Sequence, residues 1–587
     1  MASVQSDLPI AATFIRSQVA KILKNKLFAD AQRMSRFLEF AVEETLNGRA
    51  DHLKENVIGI HVFDRPSSYD PRIDPIVRVE ARRLRVKLRA YYEVDGQTDD
   101  LIVELPKGRY SPVFRQRRAE RPLEVAEPDT IAVLPFANLG GDAGTDFLSD
   151  GLTEDLIGAL TRVSNLRVSA WTSASMVKAD QDNLEIIRRL LHVTFVVRGS
   201  IRKTQGQIRI VAHLIDTSTK QYIWSQTFDR RFEDIFAVQD EITNAIVAAL
   251  RAKLNPVRVA ETPALGSRQS LEAYQLCLKG RFHARERTLE GLQRSALCFQ
   301  QAAQVDERSA SAYAGLADTL TLQAEYGFGD GPDSMRKAKV AAERALELDP
   351  ASADAQASYG LILSLYDWAW NQAEASFQRS LQLNDSYAPA HHWYSMNHLA
   401  MLGRFLEAEN EIEAAIKLDP LSPIVVEGRA FLRFLRREYS GSVALYKEII
   451  SADPSFYKSY TSAGRAYFHM RDYDRAIEML ERGLALGGEV PSIFGALGQA
   501  YGAAGQRAAA CRILDNLKRI SMTRSVFSTS FALVHLGLGD KEAALSWLEQ
   551  AVTRREPNVV ALAVHPAYDE LRDESRFKVL VERIFPS

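Results

Sequence analysis

The chain has 587 residues, well beyond the roughly 250–300 at which a single hydrophobic core stops growing, so several domains are expected. An apolar content of 46% with 25% charged residues is typical of a globular protein rather than a disordered one. The cysteines, Cys277, Cys298 and Cys511, form no CxxC or Cys/His cluster, which argues against a disulfide framework or a structural zinc and favours reduced thiols in the cytosol. Neither a signal peptide nor a membrane-spanning helix is predicted, because no charged start precedes an apolar run and no stretch of about 18 apolar residues occurs.

The positive charge is concentrated near the start of the chain. The formal net charge of the whole chain is -2, whereas residues 1–118 contain 21 Lys and Arg against 16 Asp and Glu. Residues 75–92 alone contain six basic residues and one acid, Glu80. A run of one charge sign is either a solvated helix face or an electrostatic footprint for a nucleic acid, so this segment is the first candidate site.

The first predicted elements are three helices, over about 10–27, 34–48 and 54–63. A fourth helix is predicted to begin after Asp74, a good N-cap, with Pro75 at the first helical position. At about 100° per residue, its apolar residues form one stripe that should be buried: Val77, Ala81, Leu84, Leu88 and Tyr91. Arginines form a second stripe, roughly a quarter-turn or slightly more away: Arg78, Arg82, Arg85 and Arg89. Guanidinium groups suit bidentate contacts to phosphate or to guanine edges, so the second stripe predicts a contact to DNA.

Two short extended runs follow in LIVELPKGRYSPVF (101–114) and predict a β-hairpin whose tip holds Lys107 and Arg109. The predicted order is several helices, then an Arg-rich helix, then a terminal hairpin. This order resembles the winged-helix DNA-binding domain of the OmpR/PhoB type. The matching stretches are VRVEARRLRVKLRAYY and KGRYSPVF. The resemblance implies that the four arginines enter the major groove of duplex DNA, and that Lys107 and Arg109 contact phosphates or the minor groove.

Two features depart from that family: its leading small sheet is replaced by helical sequence, and the loop over 64–75 is long and rich in proline. The alternative interpretation of the basic helix is a solvated face, on which Glu80 and Arg83 form an ion pair worth a few tenths of a kcal/mol. Like charges at i,i+4 repel each other and a basic hairpin tip follows directly, so DNA binding by a domain over 1–118 is favoured.

A middle domain is predicted over 128–255, between linkers at 115–129 and 254–270. Strands are predicted over 130–136, 166–171, 194–203, 207–216 and 221–229, and helices over 146–163, 183–191 and 233–254. The stretches IAVLPF, SDGLTEDLI, VRGSI and LIDTSTKQYIWSQTFD resemble the TolB N-terminal-like domain, which often precedes repeat arrays in bacterial proteins. The resemblance implies an α/β fold, and we expect this domain to relay or sense a signal.

From about residue 268 the chain repeats itself with a period of 34 residues. One column of small residues recurs at that period: Ala408, Ser442, Ala476, Ala510 and Ala544. A second column falls where a first helix should end and turn: Gly403, Arg437, Arg471, Gly505 and Gly539. A third marks the end of units, at spacings of 35, 35 and 34: Asp349, Asn384, Asp419 and Asp453.

A helix–turn–helix period of this length resembles the tetratricopeptide (TPR) family. The resemblance implies an all-α solenoid over 268–560, with seven or eight units, and the unit at 310–350 contains an extra GFGDGPDS. The segment 561–587 is predicted to form a polar-faced helix that caps the solenoid.

No catalytic, metal-binding or cofactor-binding set of residues is predicted. The run LGGDAG (139–144) lacks the spacing of a phosphate loop and predicts a turn, and the acids of SDGLTED (149–155) are expected to cap and charge a helix. His391 and His392 are adjacent on a helix and point in different directions, so they are not expected to share a metal. Similar TPR arrays accompany class III nucleotide cyclase domains, but no such domain fits in the first 118 residues, and no enzyme activity is predicted.

Taken together, these patterns predict a non-enzymatic cytoplasmic regulator of bacterial type. Its fold class is multidomain: a winged helix, mostly α with a β-hairpin, then an α/β TolB-like domain, then an all-α TPR solenoid. The expected partners are duplex DNA and a protein bound on the concave TPR face. Binding to a membrane is not expected. The alternative is a TPR scaffold or adaptor whose first domain is structural or binds an acidic protein surface. A palindromic DNA site would favour a homodimer, and the sequence leaves the oligomeric state open.

Overall fold

The structure is a computed structural model. It describes residues 12–25, 28, 31–71, 73–93, 95–96, 99, 101–106, 109–116, 129–140, 146–163, 166–204, 206–253, 270–329 and 331–586. The chain divides into two compact units, Met1–Glu127 and Pro128–Ser587. The finer division into 1–118, 128–255, 268–560 and 561–587 stays a prediction.

In its described residues, the first unit consists of helices followed by a two-stranded antiparallel sheet: α1 (Ala12–Leu23), α2 (Gln32–Leu46), α3 (Glu55–Phe63), α4 (Ile76–Glu93), β1 (Leu101–Glu104) and β2 (Val113–Gln116). In the sheet, Leu101 lies opposite Gln116 and Glu104 lies opposite Val113. The predicted helices and the predicted hairpin are therefore present, with ends shifted by a few residues.

The core of this unit forms around α4. The five predicted apolar residues of that helix are all at most 4% exposed, and they pack with apolar residues of α1, α2, α3 and β1. The start of α4 is also as predicted, because Asp74 Oδ1 accepts a hydrogen bond of 3.1 Å from the backbone N–H of Ile76. Burial of this stripe fixes which residues of α4 remain at the surface.

The second unit begins with a mixed six-stranded sheet and its helices: β3 (Asp129–Val133), β4 (Ala137–Asn138), α5 (Asp146–Leu160), β5 (Leu166–Val168), α6 (Trp171–Met176), α7 (Leu184–Leu191), β6 (Phe195–Thr204), β7 (Gln207–Asp216), β8 (Tyr222–Arg231) and α8 (Ile235–Lys253). The strand order is β5-β3-β6-β7-β8, with β4 also on β6. Strand β3 is parallel to β5 and β6, whereas β6, β7 and β8 are antiparallel to their neighbours.

Successive residues of β3 point to opposite faces of the sheet, and both faces are covered. Ile131 and Val133 pack with α5 and α8, whereas Ala132 and Leu134 pack with α7. The prediction of a strand over 166–171 is wrong at its end, because the strand stops at Val168 and a short helix, α6, begins at Trp171.

The remaining described residues of the second unit, 270–329 and 331–586, form helices and the turns between them: α9 (Leu271–Ala284), α10 (Leu289–Val305), α11 (Ala310–Glu325), α12 (Gly331–Leu348), α13 (Ala353–Ile362), α14 (Trp370–Leu383), α15 (Ala388–Trp393), α16 (Phe405–Leu418), α17 (Pro423–Leu435), α18 (Tyr439–Ala452), α19 (Tyr457–His469), α20 (Tyr473–Gly487), α21 (Pro491–Ala503), α22 (Arg507–Ser521), α23 (Ser528–Gly537), α24 (Lys541–Thr553) and α25 (Ser575–Ile584). Helices α13 and α15 each continue into a π-helical turn. The segment predicted as one capping helix contains a 3₁₀ turn, Pro566–Leu571, before α25.

Two of the predicted repeat columns have a clear structural meaning. All five small residues, from Ala408 to Ala544, are 0% exposed, because a second helix packs closely at these positions. All five residues of the turn column have a positive φ, between 61° and 79°, so the chain reverses there in the left-handed conformation. Glycine adopts that conformation without strain, whereas Arg437 and Arg471 do so at a conformational cost.

The third column shows how the mixed sheet and the solenoid are joined. Asp349 and Asp453 each accept a hydrogen bond from a backbone N–H two residues later. Asp419 instead accepts hydrogen bonds from the backbone N–H and the hydroxyl of Ser173, at 2.9 and 2.5 Å. The neighbouring Leu421 packs with the α7 side of the sheet. Asp419 of this repeat loop thus contacts the α/β region.

Candidate nucleic-acid interface

Helix α4 presents a solvent face made of two arginines and two valines. Val79, Arg82, Arg83 and Val86 follow the i, i+3, i+4, i+7 spacing of one helix face, and all four are exposed. The valines are 42% and 63% exposed. Within the described residues Arg82 has no ion-pair or hydrogen-bond partner, and Arg83 pairs only with Glu80, at 2.8 Å. This face combines cations with apolar groups, which are the groups that contact phosphates, guanine edges and thymine methyls.

The arginine stripe predicted from the sequence lies beside this face rather than on it. At 100° per residue the stripe is centred about a quarter-turn from the core, whereas the exposed face lies opposite the core. Arg82 belongs to both sets. Val79, Arg83 and Val86 were missed as candidates, although the same helical spacing that locates the core would have found them.

Arg78 links α4 to α3 and to the hairpin segment. Its Nε atom lies 2.9 Å from Glu55 Oε1, and the hydroxyl of Tyr110 donates to the same oxygen at 2.7 Å. Burial opposes ionisation of the Glu55 carboxyl, but hydrogen bonds from Arg78 and Tyr110 outweigh it and lower the pKa of Glu55. The Arg78 side chain is still 59% exposed, so it borders the exposed face while bound to Glu55.

Arg85 is bound to the hairpin by three backbone oxygens. Its guanidinium donates to Leu105 O at 2.9 Å, to Pro106 O at 3.0 Å and to Arg109 O at 3.0 Å. These contacts use the fork geometry of the guanidinium to hold both sides of the hairpin tip. Arg85 therefore fixes where the tip lies relative to α4.

The remaining predicted site residues divide between described and undescribed positions. Arg109 is exposed next to the carbonyl that Arg85 binds. The side chain of Arg89 and the whole of Lys107 lie outside the described residues.

The long loop between α3 and α4 is anchored at several points. The ring of Tyr69 packs on Gly59 so closely that a Cβ there would lie 2.3 Å from the ring. The Tyr69 hydroxyl donates to Asp74 O at 2.8 Å, and Arg65 pairs with Asp74 at 2.9 Å. The loop that departs from the winged-helix pattern is thus packed against α3 and against the start of α4.

Other groups that the sequence singled out have structural partners. Two of the acids in SDGLTED lie inside α5 and form ion pairs: Asp150 pairs with Arg285 at 3.2 Å, and Asp155 pairs with Arg281 of α9 at 3.0 Å. His391 contacts Glu411 at 2.6 Å. Of the LGGDAG run, residues 141–144 lie outside the described residues.

The part of the chain that the structure describes contains no cluster of three His, Cys, Asp or Glu placed to hold a metal ion. Among the same residues, no helix is both long enough and apolar enough to cross a bilayer.

The C-terminal region is a TPR-type solenoid. Its helices are paired, and it has buried small residues and left-handed turns at a 34-residue period. The tetratricopeptide repeat model matches residues 457–486, which contain α19 and most of α20. A second family model, the HilA/YgeH-like transcriptional regulator, second domain, matches residues 127–245, which contain the mixed sheet. The predicted likeness of this region to TolB stays a prediction.

Two curated bacterial proteins are similar to parts of the chain. The putative adenylate cyclase 3 of Rhizobium meliloti is 34% identical over 262 residues, which are 44% of this chain and 44% of that protein. The transcriptional regulator HilA of Salmonella typhimurium is 24% identical over 319 residues, which are 52% of this chain and 54% of HilA. The chain thus spans about half the length of the curated relatives it matches.

Solved structures of helical-repeat proteins resemble the chain only loosely. Pseudomonas aeruginosa PilF covers 37% of this chain and 94% of its own, with 20% identity and a TM-score of 0.29. The human IFIT1 dimer with PPP-AAAA covers 55% of this chain and 82% of its own, with 13% identity and a TM-score of 0.38.

Proposed function

We propose that this chain is a non-enzymatic cytoplasmic transcription regulator that binds duplex DNA through α4 and a protein partner through its TPR repeats. The observation that carries the proposal is the exposed face of α4, on which Arg82 and Arg83 stand between two exposed valines. The match of residues 127–245 to the second domain of HilA/YgeH-like transcriptional regulators supports it, because this region directly follows the first unit.

In this proposal the first unit is a winged helix, α4 enters the major groove and the hairpin contacts the backbone of the duplex. Arg82 and Arg83 contact phosphates or bases, and Arg78 and Arg89 contact phosphates at the border of the groove. Arg85 positions the hairpin so that Lys107 and Arg109 reach the phosphates. Val79 and Val86 contact thymine methyl groups. A homodimer on a palindromic site stays a prediction.

A salt titration of duplex binding tests the proposal. The full chain is titrated against a random-sequence 40-base-pair duplex between 50 and 200 mM salt, and Arg82→Glu/Arg83→Glu is compared with the parent. Each lost phosphate contact lowers the slope of log K against log salt by about 0.9, so we expect a slope smaller by about 2 and affinity lower by on the order of 100-fold at 50 mM.

The control for charge is Arg188→Glu/Arg189→Glu, which changes the net charge equally on the exposed face of α7. We expect this variant to bind like the parent. Equal loss in both variants would show that only the net charge of the chain attracts DNA, and unchanged binding of Arg82→Glu/Arg83→Glu would refute the role of α4.

The scaffold or adaptor alternative is favoured by one observation: Arg78, Arg83 and Arg85 all have partners within the first unit. If the basic face binds an acidic protein surface, poly-glutamate should compete with the duplex at a similar concentration of charge. The DNA proposal expects that poly-glutamate competes at least tenfold less well than unlabelled duplex.

A further inference from the structure

The inner side of the solenoid contains a cavity of about 530 Å³, within the range of small-molecule binding sites. Its walls come from the first helices of successive repeats, α17, α19, α21 and α23, and from the 3₁₀ turn Pro557–Ala561. The C-terminal ends of α11 and α15 lie on the other side, with Tyr326 and His392. The cavity therefore belongs to several repeats at once and exists only when they are stacked.

Three cations line this cavity, Arg287, Lys458 and Arg465, and the last two lie on one helix. Lys458 and Arg465 are seven residues apart on α19, so they lie on the same side of the helix and roughly 10 Å apart along its axis. Among the described residues neither has a carboxylate within 4.0 Å, whereas Arg429 on the neighbouring α17 holds Glu413 with two hydrogen bonds. Lys458 and Arg465 are therefore not held in ion pairs by the residues that the structure describes.

The hydrogen-bonding capacity of both cations is largely unused. Arg465 donates from Nη2 to Ser492 O at 3.3 Å, and its other four N–H groups have no acceptor in the part of the chain that the structure describes. Lys458 Nζ donates to the Tyr326 hydroxyl at 3.0 Å and lies 4.4 Å from the centre of that ring. Donors that line a cavity and lack protein acceptors mark a place for a bound polar group.

Burial shifts the pKa values of several other titratable groups of the cavity. Burial raises the pKa of Glu325 and of Glu427. Burial also lowers the pKa of His392 and of His469 to about 4, so both histidines are uncharged at neutral pH. Burial opposes the charge on Lys458 as well, but Tyr326 and Tyr457 outweigh it and raise its pKa. The histidines therefore add no positive charge at neutral pH, and the cationic groups of the cavity are those of its lysine and arginines.

Aromatic side chains lie next to the Arg465 end of the cavity. The rings of Phe431 and His565 are 6.3 Å apart, and those of His565 and Tyr568 are 5.9 Å apart. On the 3₁₀ turn Pro557–Ala561, the Asn558 Oδ1 atom is buried without a hydrogen-bond donor among the described residues. The amide nitrogen of the same side chain donates to Thr529 at 2.5 Å. A ligand with a charged end and a larger apolar body matches this lining.

We infer that the solenoid cavity binds a small organic anion, whose carboxylate or phosphate group is held by Arg465 and Lys458 and whose apolar part packs against Phe431 and Tyr568. This site is separate from the exposed face of α4 and stands whether or not the chain binds DNA. It differs from the binding of a protein on the concave face, because the groups that define it line a pocket of small-molecule size.

Thermal unfolding and calorimetric titration of the full chain test this site with four probes. Phenyl phosphate and benzoate represent the two anionic groups, inorganic phosphate lacks the apolar part, and benzyl alcohol lacks the charge. At tenfold excess over its Kd, at least one aryl anion should raise the Tm by about 1–3 °C. That anion should bind at least tenfold more tightly than inorganic phosphate or benzyl alcohol.

The variant Arg465→Gln should weaken that binding at least tenfold, and Lys458→Gln should weaken it at least threefold. Arg429→Gln, on the neighbouring repeat but outside the cavity lining, should bind like the parent. If Arg465→Gln does not fold, as judged by its circular dichroism, Lys458→Gln decides in its place. No response to either aryl anion, equal binding of benzyl alcohol, or parent-like binding by the deciding variant would overturn the inference.

Discussion

The buried carboxylate of Asp99 holds the first unit together, and we predict that Asp99→Asn destabilises that unit by about 2 kcal/mol at neutral pH. The side chain of Asp99 is fully buried and accepts hydrogen bonds from Gln18 of α1, from Lys21 at 2.5 Å and from Tyr91 of α4 at 2.7 Å. Lys21 is 59% exposed, so its ion pair adds little. Two buried hydrogen bonds to a charged oxygen, each about 1 kcal/mol stronger than its neutral replacement, give the estimate.

The same contact makes the stability of the unit depend on pH. Burial opposes the charge on Asp99, but hydrogen bonds from Lys21 and Tyr91 outweigh it and lower the pKa of the carboxyl in the folded state. A lowered pKa in the folded state contributes stability above the unfolded pKa of about 3.9, and this stability is lost as the pH falls through the folded value. The parent and Asp99→Asn should therefore differ most at neutral pH, and the difference should shrink as the pH falls below about 3.9.

Hydrogen exchange measured by mass spectrometry is the suitable assay, because all six tryptophans lie at or beyond Trp171 and their fluorescence does not report on the first unit. The slowest amides of α1 and α4 should lose about 30-fold of protection in Asp99→Asn, which corresponds to about 2 kcal/mol. Asp95→Asn is the matched control, since Asp95 is exposed and bonds only to Asn25 at 2.8 Å in the described contacts. Equal protection of Asp99→Asn and parent at pH 7, or a difference that persists unchanged at pH 2.5, would refute the reasoning.

Two further predictions concern the second unit. Asp419→Ala removes both hydrogen bonds to Ser173 and should destabilise the contact between the α/β region and the solenoid by about 2–3 kcal/mol. Asp453→Ala, at the equivalent but only half-buried loop position, should cost less than about 1 kcal/mol. Hydrogen exchange of the amides of α6 measures the strength of this contact. A similar loss of protection in the two variants would contradict the contact between Asp419 and Ser173. Ala476→Leu overfills a position that is 0% exposed and should cost about 1–3 kcal/mol in urea unfolding, with Glu478→Leu on the exposed side as the control. If Ala476→Leu unfolds at the same midpoint urea concentration as the parent, the helices are not closely packed at this position.

Local periodicity explains why much of the fold was predictable from the sequence. The apolar stripe of α4 and the small residues from Ala408 to Ala544 are buried as expected, because one face of a regular helix is encoded by spacing alone. The turns at Arg437 and Arg471 were expected from their alignment with glycines at the 34-residue period, and the structure adds that both are left-handed. Most strands and helices of the α/β region were predicted in the same way, from alternation and from turn residues, but β4 and α6 were not.

The candidate interface on α4 was predictable only in part. The sequence showed that arginines lie beside the core stripe, but the role of each depends on what it meets in space. Arg78 meets Glu55, and Arg85 meets the carbonyls of the hairpin, so the contacts that orient the hairpin were invisible to helical spacing. The exposed position of Val79 and Val86 was within reach of the same spacing.

The sequence by itself determined which elements form and which of their faces are buried, since these properties depend on neighbours within a few residues along the chain. Only the tertiary structure decided which elements meet. Asp419 and Ser173 are 246 positions apart, and no local pattern distinguishes this aspartate from its equivalents in other repeats. The cavity around Arg465 is likewise a product of stacked repeats, because its walls come from helices that no single repeat contains.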